Sequence, residues 1–112
     1  MKVCFEDIGH MSATFAADNG EAGMVCKIIE NGKVAPCGAG EKFCGVMEQI
    51  RKGFAGVQLK GFATVPFTGS APALGYNELA ANGEGGIQVA AGGRQHLVVW
   101  VDEATMHAII EL

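Results

Sequence analysis

The chain has 112 residues, 17 glycines and a net charge of −4, and this length predicts a single domain that buries about two-thirds of the surface its unfolded chain exposes. The absence of a basic cluster argues against nucleic acid or an anionic membrane as a partner, and the longest apolar runs are too short to span a bilayer. Acidic residues follow Met1 too closely for a signal-peptide core to form, so we expect a cytoplasmic location.

The composition also predicts an all-β fold, because many glycines and few charges are typical of short strands joined by tight turns. The first residues, 1–16, are predicted to form an N-terminal arm, in which Val3 and Phe5 alternate with polar neighbours and residues 11–15 form a second extended piece. A polar loop, 17–23, follows the arm. The β-barrel domain is therefore predicted to span residues 17–112.

Asn31-Gly32 predicts a hairpin with a type I′ turn. The register that this turn sets places Cys26 opposite Cys37. A cross-strand disulfide is conceivable there, but this pairing is a hydrogen-bonded one, in which the Cα atoms lie farther apart. A cytoplasmic location favours reduced thiols, so free cysteines that pack as small apolar side chains are the preferred interpretation.

A long strand is predicted from Phe54 to Thr68, and the rest of the chain is organised around it. Between residues 57 and 67 apolar residues recur at every second position, which is the signature of a half-buried strand. The side predicted to be buried carries the odd-numbered residues, namely Val57, Leu59, Gly61, Ala63, Val65 and Phe67. Gly61 predicts a kink that allows one strand to serve two sheets, and Pro66 predicts a sheet edge at the far end.

The last part of the chain predicts further short strands, at 78–80, at 87–90 and in a closing hairpin of 96–101 and 106–112. The hairpin loop, 102–105, would pair Val101 with Met106. Short strands at this spacing are typical of a small β-barrel or a sandwich. The fold is therefore predicted to be a small single-domain barrel or sandwich with a long kinked central strand.

The closing hairpin is apolar on both of its faces. The face predicted to lie inside the barrel carries Leu97, Val99, Val101, Met106, Ala108, Ile110 and Leu112, and the outer face carries Val98, Trp100, His107 and Ile109. An antiparallel strand that faces water should alternate between apolar and polar residues. The outer face is therefore predicted to be an interface between subunits. The alternative is that another strand or the arm covers it within the monomer.

No catalytic residue, metal site or cofactor is predicted. His10, His96 and His107 do not have the spacing of a metal-binding pair, and Cys37 and Cys44 lie too far apart in sequence for a zinc site. The glycine-rich segments lie between predicted strands, whereas a phosphate-binding loop opens a helix.

Several glycine and apolar spacings stand out along the chain, namely Gly45-Val46, then Gly56-Val57-x-Leu59-x-Gly61-x-Ala63-x-Val65, then Leu74-Gly75-Tyr76-x-x-Leu79 and Gly86-Ile87. These motifs resemble those of a family of small phage and prophage head proteins, the capsid decoration or cement proteins. The resemblance implies a compact β-barrel, often trimeric, that binds the outside of an assembled capsid and stabilises it. It also implies a major capsid protein as partner and a place in the virion, assembled in a bacterial cytoplasm.

The expected function is that of a non-enzymatic structural protein that works by presenting surfaces. The alternative is a barrel that binds a small molecule or a peptide, which would need a cavity with a few convergent polar groups. A third class, a thiol-based redox or metal protein, rests on the cysteines alone.

Overall fold

The structure, a computed structural model, describes residues 9–112 and confirms the all-β class. Two sheets of five strands each make up the fold. The strands are β1 (Met11–Ala17), β2 (Val25–Glu30), β3 (Lys33–Pro36), β4 (Gly45–Arg51), β5 (Phe54–Lys60), β6 (Phe62–Pro66), β7 (Gly75–Ala81), β8 (Ile87–Val89), β9 (Arg94–Asp102) and β10 (His107–Glu111). Within the described range there is no helix of the length and apolarity needed to cross a membrane.

The first five strands close into a barrel in the order β1-β3-β2-β4-β5, with β5 returning to β1. The β1–β3 pairing is parallel, and the other four pairings are antiparallel. This closure corrects the predicted boundary of the N-terminal arm. Residues 11–16 pair with β5 over the length of β1, so they are an integral part of the barrel wall. The remainder of the predicted arm, including Val3 and Phe5, lies outside the described residues.

The second sheet is antiparallel and has the order β6-β10-β9-β7-β8. Its two edge strands approach each other, because Phe67, just after β6, forms a bridge with Ile87 of β8. The Thr68 N–H donates to the Ile87 carbonyl at 3.1 Å. Pro66 was predicted to lie at a sheet edge, and this is confirmed because β6 is an edge strand of the second sheet. A proline has no backbone N–H to donate to a further strand.

The long central strand is divided at Gly61, where the backbone φ of +98° interrupts the pairing. Strand β5 belongs to the barrel and β6 to the second sheet, so the prediction of one kinked segment serving two sheets is confirmed. The prediction of one strand from Phe54 to Thr68 is wrong at Gly61 and at its far end, since β6 ends at Pro66. Its buried face is largely as predicted, with Val57, Val65 and Phe67 no more than 3 % exposed.

A buried amide holds the kink in place. Gln58, which the alternation placed on the outer face, is only 6 % exposed. Its Nε2 donates to the carbonyls of Lys60 at 3.1 Å and Phe62 at 3.0 Å, on either side of Gly61. The Gly61 carbonyl in turn accepts from the Leu112 N–H at 2.9 Å. Backbone groups freed by the kink are therefore satisfied, as buried polar groups must be.

Two apolar cores lie inside the two sheets. The barrel core is made only of side chains that precede the kink, namely Ala17, Cys26, Val34, Met47, Ala55 and Val57. The second core contains residues from β6 to the C-terminus together with four from the barrel half, Val25, Cys37, Phe43 and Val46. The second sheet therefore packs on a surface that the barrel provides.

The hairpin at Asn31-Gly32 forms as predicted, but its turn and register differ. A type I′ turn needs positive φ at both central residues, and among the described residues Met106 is the only non-glycine with positive φ. Ile29 is bulged out of the pairing, so that the register moves by one residue. Cys26 consequently lies opposite Pro36 instead of Cys37, and both cysteines are free thiols.

Candidate functional site

The outer face of the second sheet carries a patch of large apolar side chains. Tyr76 of β7 is paired with Leu97 of β9, and Trp100 of β9 is paired with Ile109 of β10. Directly paired residues project from the same side of a sheet. Trp100 is 52 % exposed and Tyr76 is 69 % exposed, while their partners Ile109 and Leu97 are half-buried. We call these four residues the outer patch.

A β-bulge in β9 corrects the prediction for Val98. Ile109 lies opposite Trp100 but Ile110 lies opposite Val98, so Val99 has no partner on β10. The extra residue reverses the alternation N-terminal to it. Val98 was predicted to be an interface residue, but it points into the core, where it is 1 % exposed. The adjacent valines at 98 and 99 concealed this change of phase in the sequence.

The hairpin loop also differs from the prediction. The pairing nearest the loop joins Asp102 to His107, one residue further along each strand than predicted, and Val101 lies opposite Ala108. Met106, expected inside the barrel, falls in the loop with φ of +56° and is 41 % exposed.

Three of the four predicted interface residues do come together. Trp100, His107 and Ile109 line a shallow hollow of about 350 Å³ with Thr64, Asp102 and Thr105. His107 is exposed, and its Nδ1 donates to the Thr105 carbonyl at 2.8 Å. The Asp102 carboxylate accepts from the N–H groups of Ala104 and Thr105 at 3.0 and 3.3 Å, so it shapes the loop. The hollow therefore has an aromatic wall and a polar rim in which Asp102 and His107 are already hydrogen-bonded to backbone groups of their own loop.

A second polar cluster lies on the barrel and was not found from the sequence. Ser12 Oγ lies 2.9 Å from His10 Nε2 and donates to a carboxylate oxygen of Glu48, whose other oxygen is 3.1 Å from the same His10 nitrogen. In a catalytic triad the imidazole connects the hydroxyl and the carboxylate through its two different nitrogens. Here one nitrogen faces both groups, so the imidazole is not placed to pass a proton between them.

His96 is the most buried of the described histidines, at 2 % exposure. Its ring stacks on Phe43 with centroids 4.7 Å apart and planes 10° from parallel. Nδ1 lies 2.8 Å from the Glu111 carbonyl, which can only accept, so Nδ1 carries the proton. Nε2 is buried without a hydrogen-bond partner. Burial lowers the pKa of His96 from its ordinary value of 6.5, against the opposing effect of the bond to Glu111.

His96 should therefore make the protein less stable in mild acid. A histidine whose pKa is lowered by folding binds its proton more readily in the unfolded chain, so stability is present above pH 6.5 and is lost as the pH falls below it. We expect the free energy of unfolding to fall more steeply between neutral and acidic pH in the parent protein than in His96→Gln. Urea titrations at a series of pH values measure both slopes. Equal slopes would contradict the expectation, because His10 and His107 are present in both proteins.

Among the described residues no group of three or more His, Cys, Asp or Glu is placed to hold a metal ion. Comparison of the chain with protein-family models and with curated protein sequences finds no match. The resemblance to capsid decoration proteins consequently stays a prediction. The outer patch is the feature of the described chain that most needs a functional explanation.

Proposed function

We propose that this chain is a non-enzymatic structural protein that associates with copies of itself through the outer patch. The observation that carries the proposal is the exposure of Trp100 and Tyr76 on one continuous sheet face, flanked by Leu97 and Ile109. Clustered apolar side chains on a soluble protein usually mark an interaction site. Trp and Tyr are also the residue types most often found at the energetic centre of an interface.

The interior of the barrel favours association through the surface over the alternative, the binding of a small ligand inside. Met47, Val57 and Val34 fill the barrel core and are fully buried. A ligand-binding barrel would instead present convergent polar groups around a cavity. The family resemblance suggests a more specific form of this proposal. In that form the favoured oligomer is a trimer, and it binds a capsid with the major capsid protein as its partner.

Trp100→Glu tests the proposal. A buried carboxylate without a partner is costly, and truncation of a tryptophan at the centre of an interface costs at least about 2 kcal/mol, a factor of about 30 in the dissociation constant. We expect the parent protein to sediment as an oligomer and the variant as a folded monomer, with circular dichroism as the folding control.

Phe54→Glu is the matched control. Phe54 is an aromatic residue of similar exposure, 56 %, but it lies on β5 in the barrel wall. This variant should keep the parent's mass. A parent protein that is monomeric at all concentrations, or equal dissociation of both variants, would refute the role of the outer patch. If Trp100→Glu unfolds while Phe54→Glu stays folded, Trp100 stabilises the monomer and is not an interface residue.

A further inference from the structure

Two of the cysteines lie against each other at the junction of β2 and β4. Cys26 is fully buried on β2, and its Sγ lies 3.6 Å from the Gly45 carbonyl. Cys44 is half-buried immediately before β4, and its N–H donates to the Cys26 carbonyl at 2.8 Å. Cys26 belongs to the barrel core, and Cys44 packs against that core. Cys37, the third described cysteine, packs in the second core instead.

Cys44, and not Cys37, is the cysteine placed next to Cys26, because Cys26 lies opposite Pro36 and accepts a hydrogen bond from the Cys44 N–H. Cys26 is the direct partner of Gly45, the neighbour of Cys44. Residues joined by a backbone hydrogen bond across antiparallel strands have Cα atoms about 5–6 Å apart, which is the usual separation in a disulfide.

The two thiols differ in acidity and access. The neighbouring Cys26 thiol lowers the pKa of Cys44 to about 7, and the backbone amide of Cys44 adds to this effect against the cost of burial. The same contact, together with burial, raises the pKa of Cys26. Burial and the nearby Glu41 charge raise the pKa of Cys37 to about 11. Cys44 is therefore the reactive thiolate at neutral pH, since the thiolate is the nucleophile, and Cys26 keeps its proton.

We propose that Cys44 and Cys26 form an oxidative modification site that reacts with hydroperoxides, with Cys44 as the attacking thiol and Cys26 as the resolving thiol. The Cys44 thiolate attacks the terminal peroxide oxygen, so that an S–O bond forms, the O–O bond breaks and hydroxide or alkoxide leaves and takes up a proton. The Cys26 sulfur then attacks the Cys44 sulfenic acid. An S–S bond forms, the S–O bond breaks, and the oxygen leaves as water with the Cys26 proton.

The disulfide would lie across one of the two strand pairings in the barrel that contain only two residue pairs each. Only Val25 with Val46 and Cys26 with Gly45 are paired between β2 and β4. A covalent link at this position constrains the unfolded chain and prevents the two strands from separating. We expect the oxidised protein to melt about 5–10 °C higher than the reduced protein. This site lies in the barrel and does not depend on the proposed role of the outer patch.

Peptide mapping after treatment with hydrogen peroxide tests the proposal. Trypsin places Cys26 in peptide 3–27, Cys37 in peptide 34–42 and Cys44 in peptide 43–51. Because peptide 3–27 also contains Cys4, the experiment uses the Cys4→Ser background alongside the parent protein. We expect peptides 3–27 and 43–51 to become joined with the loss of two hydrogen atoms, and a reducing thiol to separate them. Cys37→Ser is the matched control and should form the same link.

Two single variants assign the roles. Cys44→Ser should leave Cys26 reduced, whereas Cys26→Ala should let Cys44 proceed to the sulfinic acid. In the reduced protein the rate of Cys44 alkylation by iodoacetamide should rise with a midpoint near pH 7, and Cys26→Ala should move that midpoint upward. A link from peptide 43–51 to peptide 34–42, or a Cys44 that remains reduced while free cysteine in the same solution is oxidised, would overturn the proposal. The map of the Cys4→Ser protein decides this even if a variant fails to fold.

Discussion

Replacing Gly45 with alanine is expected to lower the free energy of unfolding by about 3 kcal/mol or more. A Cβ at this position would lie 2.3 Å from the Gln58 carbonyl oxygen and 2.8 Å from Val57 Cγ1. Neither neighbour moves easily, because the first is backbone of β5 and the second is a fully buried side chain. The methyl group would therefore force β4 and β5 apart at this point of the barrel wall. A urea titration that compares midpoints at constant slope measures the loss.

Gly56→Ala is the control for this effect. Gly56 lies on β5 in the same wall, but a Cβ there meets no atom closer than 3.9 Å. We expect this substitution to change stability by less than about 1 kcal/mol, since alanine suits the middle of a strand no worse than glycine. A similar loss in both variants would mean that the cost at position 45 comes from general effects of the substitution and not from the contact with β5.

Ile110→Ala is expected to cost about 2–5 kcal/mol. Ile110 is completely buried in the second core, and its strand lies between β6 and β9. Truncation removes apolar contacts and leaves a cavity that the neighbouring strands fill only in part. Because the second core joins both halves of the chain, denaturant unfolding should remain a single transition at a lower midpoint.

Leu59→Ala provides a comparison from the other side of the kink. The alternation in the sequence placed Leu59 in the core, which would give a similar cost, but in the structure it is only half-buried beside the barrel core. We therefore expect a loss smaller than that of Ile110→Ala, of about 1–2 kcal/mol. If Leu59→Ala lowered stability more than Ile110→Ala, the second core would not be the one that contributes more to the stability of the fold.

The central segment could be predicted from the sequence because its signal is long. Eleven residues of strict alternation determine which side is buried, and Gly61 marks the bend within them. The alternation could not show that Gln58 is buried, since this depends on two carbonyls that only the bend exposes. Local polarity therefore gave the wrong side for the residue that holds the bend in place.

The two corrections in register have a common physical cause. Bulges at Ile29 and Val99 each insert one residue into a hairpin, and each falls within a run of consecutive β-branched residues. In such a run the alternation has no polar position by which its phase can be recognised. Trp100 and Ile109 were nevertheless placed on the correct face, because they lie between the bulge and the loop. The position of Cys44 next to Cys26 was not foreseen, since it depends on how β2 and β4 meet.

The position of the kink has a consequence for synthesis on the ribosome. All five barrel strands and every side chain of the barrel core precede Gly61. A nascent chain that has emerged to this point contains the whole barrel and, because domains can fold during translation, is expected to form it before the second half is complete. The later strands lack this independence, because their core needs Val25, Phe43 and Val46. The barrel would thus act as the template on which the rest of the same polypeptide assembles as it leaves the exit tunnel.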